Sequence, residues 1–173
     1  MKRGPATPTL AALALLLIAN TQLHAQLAIS ITNPWTIGTL DGADLSPADT
    51  AGGRIPDPWP ASPDDDATGV LLTITNAVGA WTVEVEQVDV TWDADVIIQV
   101  RRRTAGTGGT VSGATGYFAL NGGYQEFFTG TGNPSNIRIQ FRLQMNEPAT
   151  RVLPVDAEYY LTHVRFKITD SAP

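Results

Sequence analysis

The chain has 173 residues, of which 17 are acidic and 11 basic, giving a net charge of −6, and it contains no cysteine. That balance repels nucleic acid and anionic lipid, and the missing thiols exclude a disulfide framework and thiolate metal sites. Stability must come from an apolar core, from bound ions or from neighbouring subunits.

In chain order, the first element is a leader. Met1-Lys2-Arg3, the apolar run Leu10 to Ile18, and Leu23-His24-Ala25 before Gln26 have the form of a secretory signal peptide, with cleavage expected after Ala25. The apolar run is too short to span a bilayer, and no later segment is long enough to do so. The expected product is secreted, extracellular or displayed at the cell surface, with 148 residues, a net charge of −8 and no membrane span.

Residues 26–40 read as an N-terminal strand extension, because Leu27, Ile29 and Ile31 occupy every second position. Residues 41–66 carry Pro47, Pro56, Pro58, Pro60, Pro63, several Asp and Gly52-Gly53, which predicts a long loop without an apolar face. Residues 67–173 read as the body of the domain.

Within the body, Val70 to Thr75 predicts a strand and Asn76 to Gly79 a turn. Trp81, Val83 and Val85 share one strand face, and the apolar parity flips at Gln87-Val88, which predicts a β-bulge or a break where the chain changes sheets. Val96 to Arg103 is the next strand, and the Gly/Thr/Ser-rich stretch Thr104 to Gly116 is expected to be a mobile hairpin loop. Tyr117 to Leu120 and Tyr124 to Phe128 are short aromatic strands split by an Asn121-Gly122-Gly123 turn. Asn136 to Gln144 alternates Ile137, Ile139, Phe141 and Leu143 with Arg138, Gln140, Arg142 and Gln144. The last strand, Glu158 to Thr169, sets Val164, Phe166 and Ile168 against His163, Arg165 and Lys167. About eight antiparallel strands in one domain predict an all-β, two-layer antiparallel sandwich of immunoglobulin-like or jelly-roll type.

Chemistry is sparse. The leaderless chain keeps a single histidine, His163, on the polar side of its strand, so no nucleophile–histidine pair is available and no enzyme activity or cofactor is expected. Asp64, Asp66 and Thr68 stand at alternate positions before Gly69, as in the first half of a calcium loop, but the twelfth position is Thr75 rather than a glutamate. A solvated turn is the favoured reading of that string, with calcium as the alternative. Glu84 and Glu86 fall on one strand face, where nothing separates an acid from a nucleophile as a glycosidase requires. Trp59, Tyr117 and Tyr124, together with Trp35 and Trp92, are candidates for stacking against sugar rings. Arg101-Arg102-Arg103 suits acidic groups on a neighbouring subunit.

An acidic sandwich that opens on an alternating strand directly after a leader resembles fimbrial and pilus subunits that polymerise by donor-strand exchange. The resemblance is architectural and covers Gln26 to Thr32, the sandwich strands and the closing strand Glu158 to Thr169. It implies a homopolymer in which Leu27, Ile29 and Ile31 enter a neighbouring copy. The rival expectation is a secreted carbohydrate-binding or adhesive module for surface polysaccharide.

Overall fold

Alternation of apolar and polar residues decides which segments become strands and which of their faces is buried. A computed structural model describes residues 26–36, 61–92, 96–145 and 161–171; the expected leader, most of the Pro/Asp-rich loop and Trp59 lie outside them. The strands are Ala28–Thr32 (β1), Val70–Thr75 (β2), Ala80–Thr91 (β3), Val96–Arg102 (β4), Thr107–Ser112 (β5), Phe118–Ala119 (β6), Gln125–Ser135 (β7), Ile137–Met145 (β8) and Leu161–Asp170 (β9). They form two antiparallel sheets, ordered β1-β2-β8-β4-β6 and β5-β7-β3-β9, which pack as a sandwich. The all-β, two-layer expectation therefore holds. Among the described residues no helix is long and apolar enough to cross a membrane.

From β2 to β9 every successive strand lies in the opposite sheet from the one before it. The Asn121-Gly122-Gly123 turn expected from the sequence is thus a crossing between layers, because its flanking strands β6 and β7 belong to different sheets.

The core lies between the sheets. Val70, Leu72, Ile74, Ile98, Val100, Ile137, Ile139, Phe141 and Leu143 enter from the first sheet, and Trp81, Val83, Val85, Phe127 and Phe128 from the second. Aromatic rings link the layers in series. Trp35 stacks on Phe141 at 6.0 Å, Phe141 meets Phe166 at 6.5 Å, Phe166 meets Phe127 at 6.0 Å, and Phe128 contacts Trp81 edge-on at 6.1 Å. Offset and edge-to-face pairs of this kind add about 0.5–1.5 kcal/mol each to plain burial. Trp81 is wholly buried and its indole N–H donates to the Gly132 carbonyl at 2.9 Å, so the ring carries no unpaired polar atom.

Two irregularities fall where the sequence does not place them. Register between β3 and β9 runs unbroken through Gln87 and Val88, and shifts later, between Asp89 and Thr91. Gln87 keeps its place on the core side, only 7% exposed, with its backbone N–H donating to Asn121 O at 3.0 Å. A second shift, between β3 and β7 at Val83/Glu84, leaves Phe127 as the extra residue and lets the consecutive Phe127 and Phe128 both face inward.

The expected loop Thr104 to Gly116 instead contains β5, an edge strand paired to β7. Its sequence, Thr-Gly-Gly-Thr-Val-Ser, has no apolar alternation and stands as a strand through backbone pairing and threonine contacts such as Thr110 Oγ1 to Thr131 Oγ1 at 2.8 Å.

Candidate functional site

Three places carry the residues singled out in the sequence. The first is the β1 edge. β1 pairs antiparallel with β2 of its own chain, with Ile29 opposite Ile74 and Ile31 opposite Leu72. Leu27 and Ile29 are half-buried against the core, whereas Ile31, at the rim, is 44% exposed. Asparagines hold the strand at both ends: Asn76 Nδ2 donates to Gln26 O at 3.0 Å, and Asn33 Nδ2 donates to Ala67 O at 3.0 Å and Gly69 O at 3.3 Å. Both have positive φ, 62° and 53°, a conformation that asparagine tolerates better than most residues. The position expected for a strand from a neighbour is thus filled within the single chain by β1 itself.

The second place is the acidic turn 64–69 beside it. Asp65 folds the turn: its carboxylate accepts from the backbone N–H of Ala67 at 2.8 Å and of Thr68 at 2.7 Å, and from Thr68 Oγ1 at 2.6 Å. Those bonds, the Thr68 hydroxyl first, hold the Asp65 carboxyl below its usual pKa of 3.8. Asp64 pairs with Arg103 at 2.5 Å and Arg138 at 3.3 Å, and Asp66 pairs with Arg138. Burial opposes ionisation of Asp64, but hydrogen bonds from Arg103 and Arg138 outweigh it and lower its pKa. The bond from Asp66 in turn raises the pKa of Arg138. Among the described residues no three His, Cys, Asp or Glu converge as a metal site. A cation at Asp64, Asp66 and Thr68 would have to displace two guanidinium groups and break the Thr68–Asp65 bond. Asp64, Asp65 and Asp66 work together as a clamp, in which Ser62 extends the hold along β8 by donating its backbone N–H to Phe141 O at 2.8 Å.

The third place is the outer face of the first sheet. Arg101 on β4 stands opposite Gln140 on β8, and Gln99 stands opposite Arg142. Arg101 Nε and Nη2 donate to Gln140 Oε1 at 3.0 and 2.5 Å, Arg142 Nε donates to Gln99 Oε1 at 2.6 Å, and Gln99 Nε2 donates to Gln144 Oε1 at 2.5 Å. Tyr117, just before β6, lies under both guanidinium groups, 4.3 Å from Arg101 and 4.1 Å from Arg142 to the ring centre. A ring so occupied is engaged by cations and does not offer itself as an open sugar-stacking platform.

The other candidates are distributed. Tyr124 lies on the outer face of the second sheet, 43% exposed, with Lys167 Nζ 5.0 Å from its ring centre; desolvation and then its bond to Glu86 raise the phenol pKa. Glu84 pairs with Lys167 at 2.8 Å and Glu86 faces Arg165 at 3.9 Å, so both carboxylates are taken by cross-strand cations. Arg102 points inward, 8% exposed, where its Nε donates to Gly113 O at 2.9 Å and burial lowers its pKa. Trp92 donates to Val96 O at 2.6 Å and lines, with Gln87, Leu120 and Asn121, a cleft of about 160 Å³, smaller than the roughly 300 Å³ at which ligand pockets begin. The Arg101–Tyr117–Arg142 layer was missed in sequence because its members are distant in the chain and meet only through the β4–β8 register.

No protein-family model, curated protein or solved structure matches the chain.

Proposed function

We propose that this chain is a structural subunit of an extracellular filament, in which β1 of one copy takes the place of β1 in the next. The observation that carries the reading is that, among the described residues, β1 has a single hydrogen-bonded neighbour, at the rim of its sheet, and is joined to that neighbour by the long connection 33–69. With residues 33–36 and 61–69 held against the sheets, the 24 residues 37–60 reach roughly 80 Å when extended, enough for β1 to pair with the β2 of another copy. The contacts made in exchange are those already made within one chain, so their enthalpy is nearly conserved and exchange costs mainly association entropy. Passed from copy to copy without closure, the strand generates an open fibre. Each ladder bond contributes about 0.5–1.5 kcal/mol, and the half-buried Leu27 and Ile29 each add part of the about 1.5–3 kcal/mol of a fully buried side chain, so release of β1 is slow once exchange is complete.

A cysteine-free chain makes the test clean. Ser30 and Thr73 are directly opposed across β1 and β2, at a separation suited to a disulfide. The double variant Ser30→Cys, Thr73→Cys, oxidised after secretion, is expected to give a ladder of covalent multimers on a non-reducing gel, and deletion of Gln26 to Thr32 is expected to remove filaments in electron micrographs. Crosslinked monomers alone, alongside filaments or without them, would overturn exchange.

A further inference from the structure

The outer face of the first sheet holds two positive charges that no carboxylate among the described residues neutralises. Every other cation described on either outer face faces a carboxylate: Arg103 and Arg138 pair with Asp64 and Asp66, Arg165 faces Glu86, and Lys167 pairs with Glu84. Arg101 and Arg142 meet no carboxylate among the described residues; their partners are the amide oxygens of Gln140 and Gln99 and the ring of Tyr117. Those contacts fix the guanidinium planes without saturating them. Arg142 spends only Nε on a described side chain, leaving both terminal amino groups, and Arg101 keeps one. A held guanidinium with free terminal N–H groups is the geometry that grips a carboxylate through two parallel hydrogen bonds.

We infer that this layer binds a carboxylate-bearing polysaccharide, with Arg142 and Arg101 taking the carboxylate and the half-buried amides of Gln99 and Gln144 lying alongside for hydroxyl groups. The surroundings favour a glycan over a protein. Protein interfaces are anchored by exposed apolar and aromatic side chains. The large apolar residues exposed among the described residues are Ile31 at the β1 rim, Val78 in a turn and Tyr124 on the opposite sheet, and none belongs to this face. The net negative charge of the chain does not prevent the contact, because charges beyond about 8 Å are screened at physiological salt and the local pair dominates. The inference stands apart from strand exchange, since β4, β6 and β8 keep their places whether β1 pairs within its chain or with a neighbour.

The test is affinity electrophoresis of the secreted, full-length protein through gels containing polygalacturonate, neutral dextran or polyglutamate, at about 0.15 M salt. Retardation by polygalacturonate and not by dextran is expected. Arg142→Gln should weaken it at least tenfold, Arg142→Lys should weaken it less, the pair Arg101→Gln, Arg142→Gln should abolish it, and Arg165→Gln on the opposite face should leave it unchanged. Thermal melting of each variant confirms that the fold is retained. Absence of retardation in the parent protein, equal retardation of Arg142→Gln, or stronger arginine-dependent retardation by polyglutamate would each overturn the assignment.

Discussion

Of the four described edge strands, β1, β6, β5 and β9, the two of similar length, β1 and β5, are held by opposite means. β1, in one sheet, is apolar on its inner side and is fixed by half-buried side chains and by asparagines at its ends. β5, in the other sheet, buries almost nothing and is fixed by how closely its backbone approaches β7. At Gly130 a Cβ would lie 2.2 Å from Thr110 O and 2.4 Å from the Trp81 ring. An edge tied by side chains suits the proposed replacement by an identical strand, whereas one built on backbone contact leaves no tolerance at the seam. The two edges teach that a strand's place in a sheet does not say how removable it is.

The largest effect should come from breaking the tight edge. Gly130→Ala is expected to cost about 3 kcal/mol, since neither the carbonyl of Thr110 nor the indole of Trp81 has room to retreat. For a domain of this size that lowers Tm by about 6–12 °C, with Gly79→Ala, whose Cβ meets nothing within 4 Å, as the control that stays near the parent. An unshifted Tm for Gly130→Ala would remove the distinction between the edges.

A smaller effect should separate the positions within β1. Ile29→Ala is expected to cost about 1–2 kcal/mol, less than the roughly 2–5 kcal/mol of a fully buried isoleucine, because Ile29 is only half-buried. Ile31→Ala, at the exposed rim, should change stability by less than about 0.5 kcal/mol. Urea unfolding midpoints check both, and equal losses would mean that β1 is buried more evenly than its rim position implies.

An effect smaller than that of Ile29→Ala should mark the β1 edge as the acid-sensitive one. The clamp of Asp64 and Asp65 lies against Asn33 at the end of β1, and both carboxyls are held below 3.8. A lowered folded-state pKa contributes stability that is present above the unfolded value and is lost as pH falls through the folded one. Asp64→Asn should therefore lower stability by about 0.5–1 kcal/mol at pH 7, as partly exposed ion pairs do. The difference from the parent should vanish in melts well below pH 3.8. A deficit that persists in strong acid would assign the role of Asp64 to packing and not to its charge.

The sequence announced strands wherever one side of the chain is apolar. β2 runs from Val70 to Thr75 as read, and β8 from Ile137 to Met145 differs by one residue at each end. β5 and the second half of β7 were hidden because Gly-Thr-Gly-Asn-Pro and Thr-Gly-Gly-Thr carry no apolar rhythm, and their pairing depends on what a missing Cβ permits. Bulge positions were misplaced for a related reason: Gln87 is a polar residue kept inside, which parity alone reads as a change of face. At the arginine layer, Tyr117 was legible as an exposed-type aromatic, but its two guanidinium partners were not, since the register that joins β4 to β8 is a property of the whole fold.

The strict alternation of strands between layers has a kinetic side. Of the residues paired across strands, even the nearest in sequence, Ser112 and Thr129, are 17 positions apart, and β2 meets β8 only after most of the chain is present. With no tight hairpin among the described residues to serve as a nucleus, ordered structure waits on the closure of long loops, and chains of this contact order fold in milliseconds to seconds. During that interval the apolar strands are open to one another and to other copies, so a newly emerging chain is vulnerable to aggregation until β8 docks between β2 and β4.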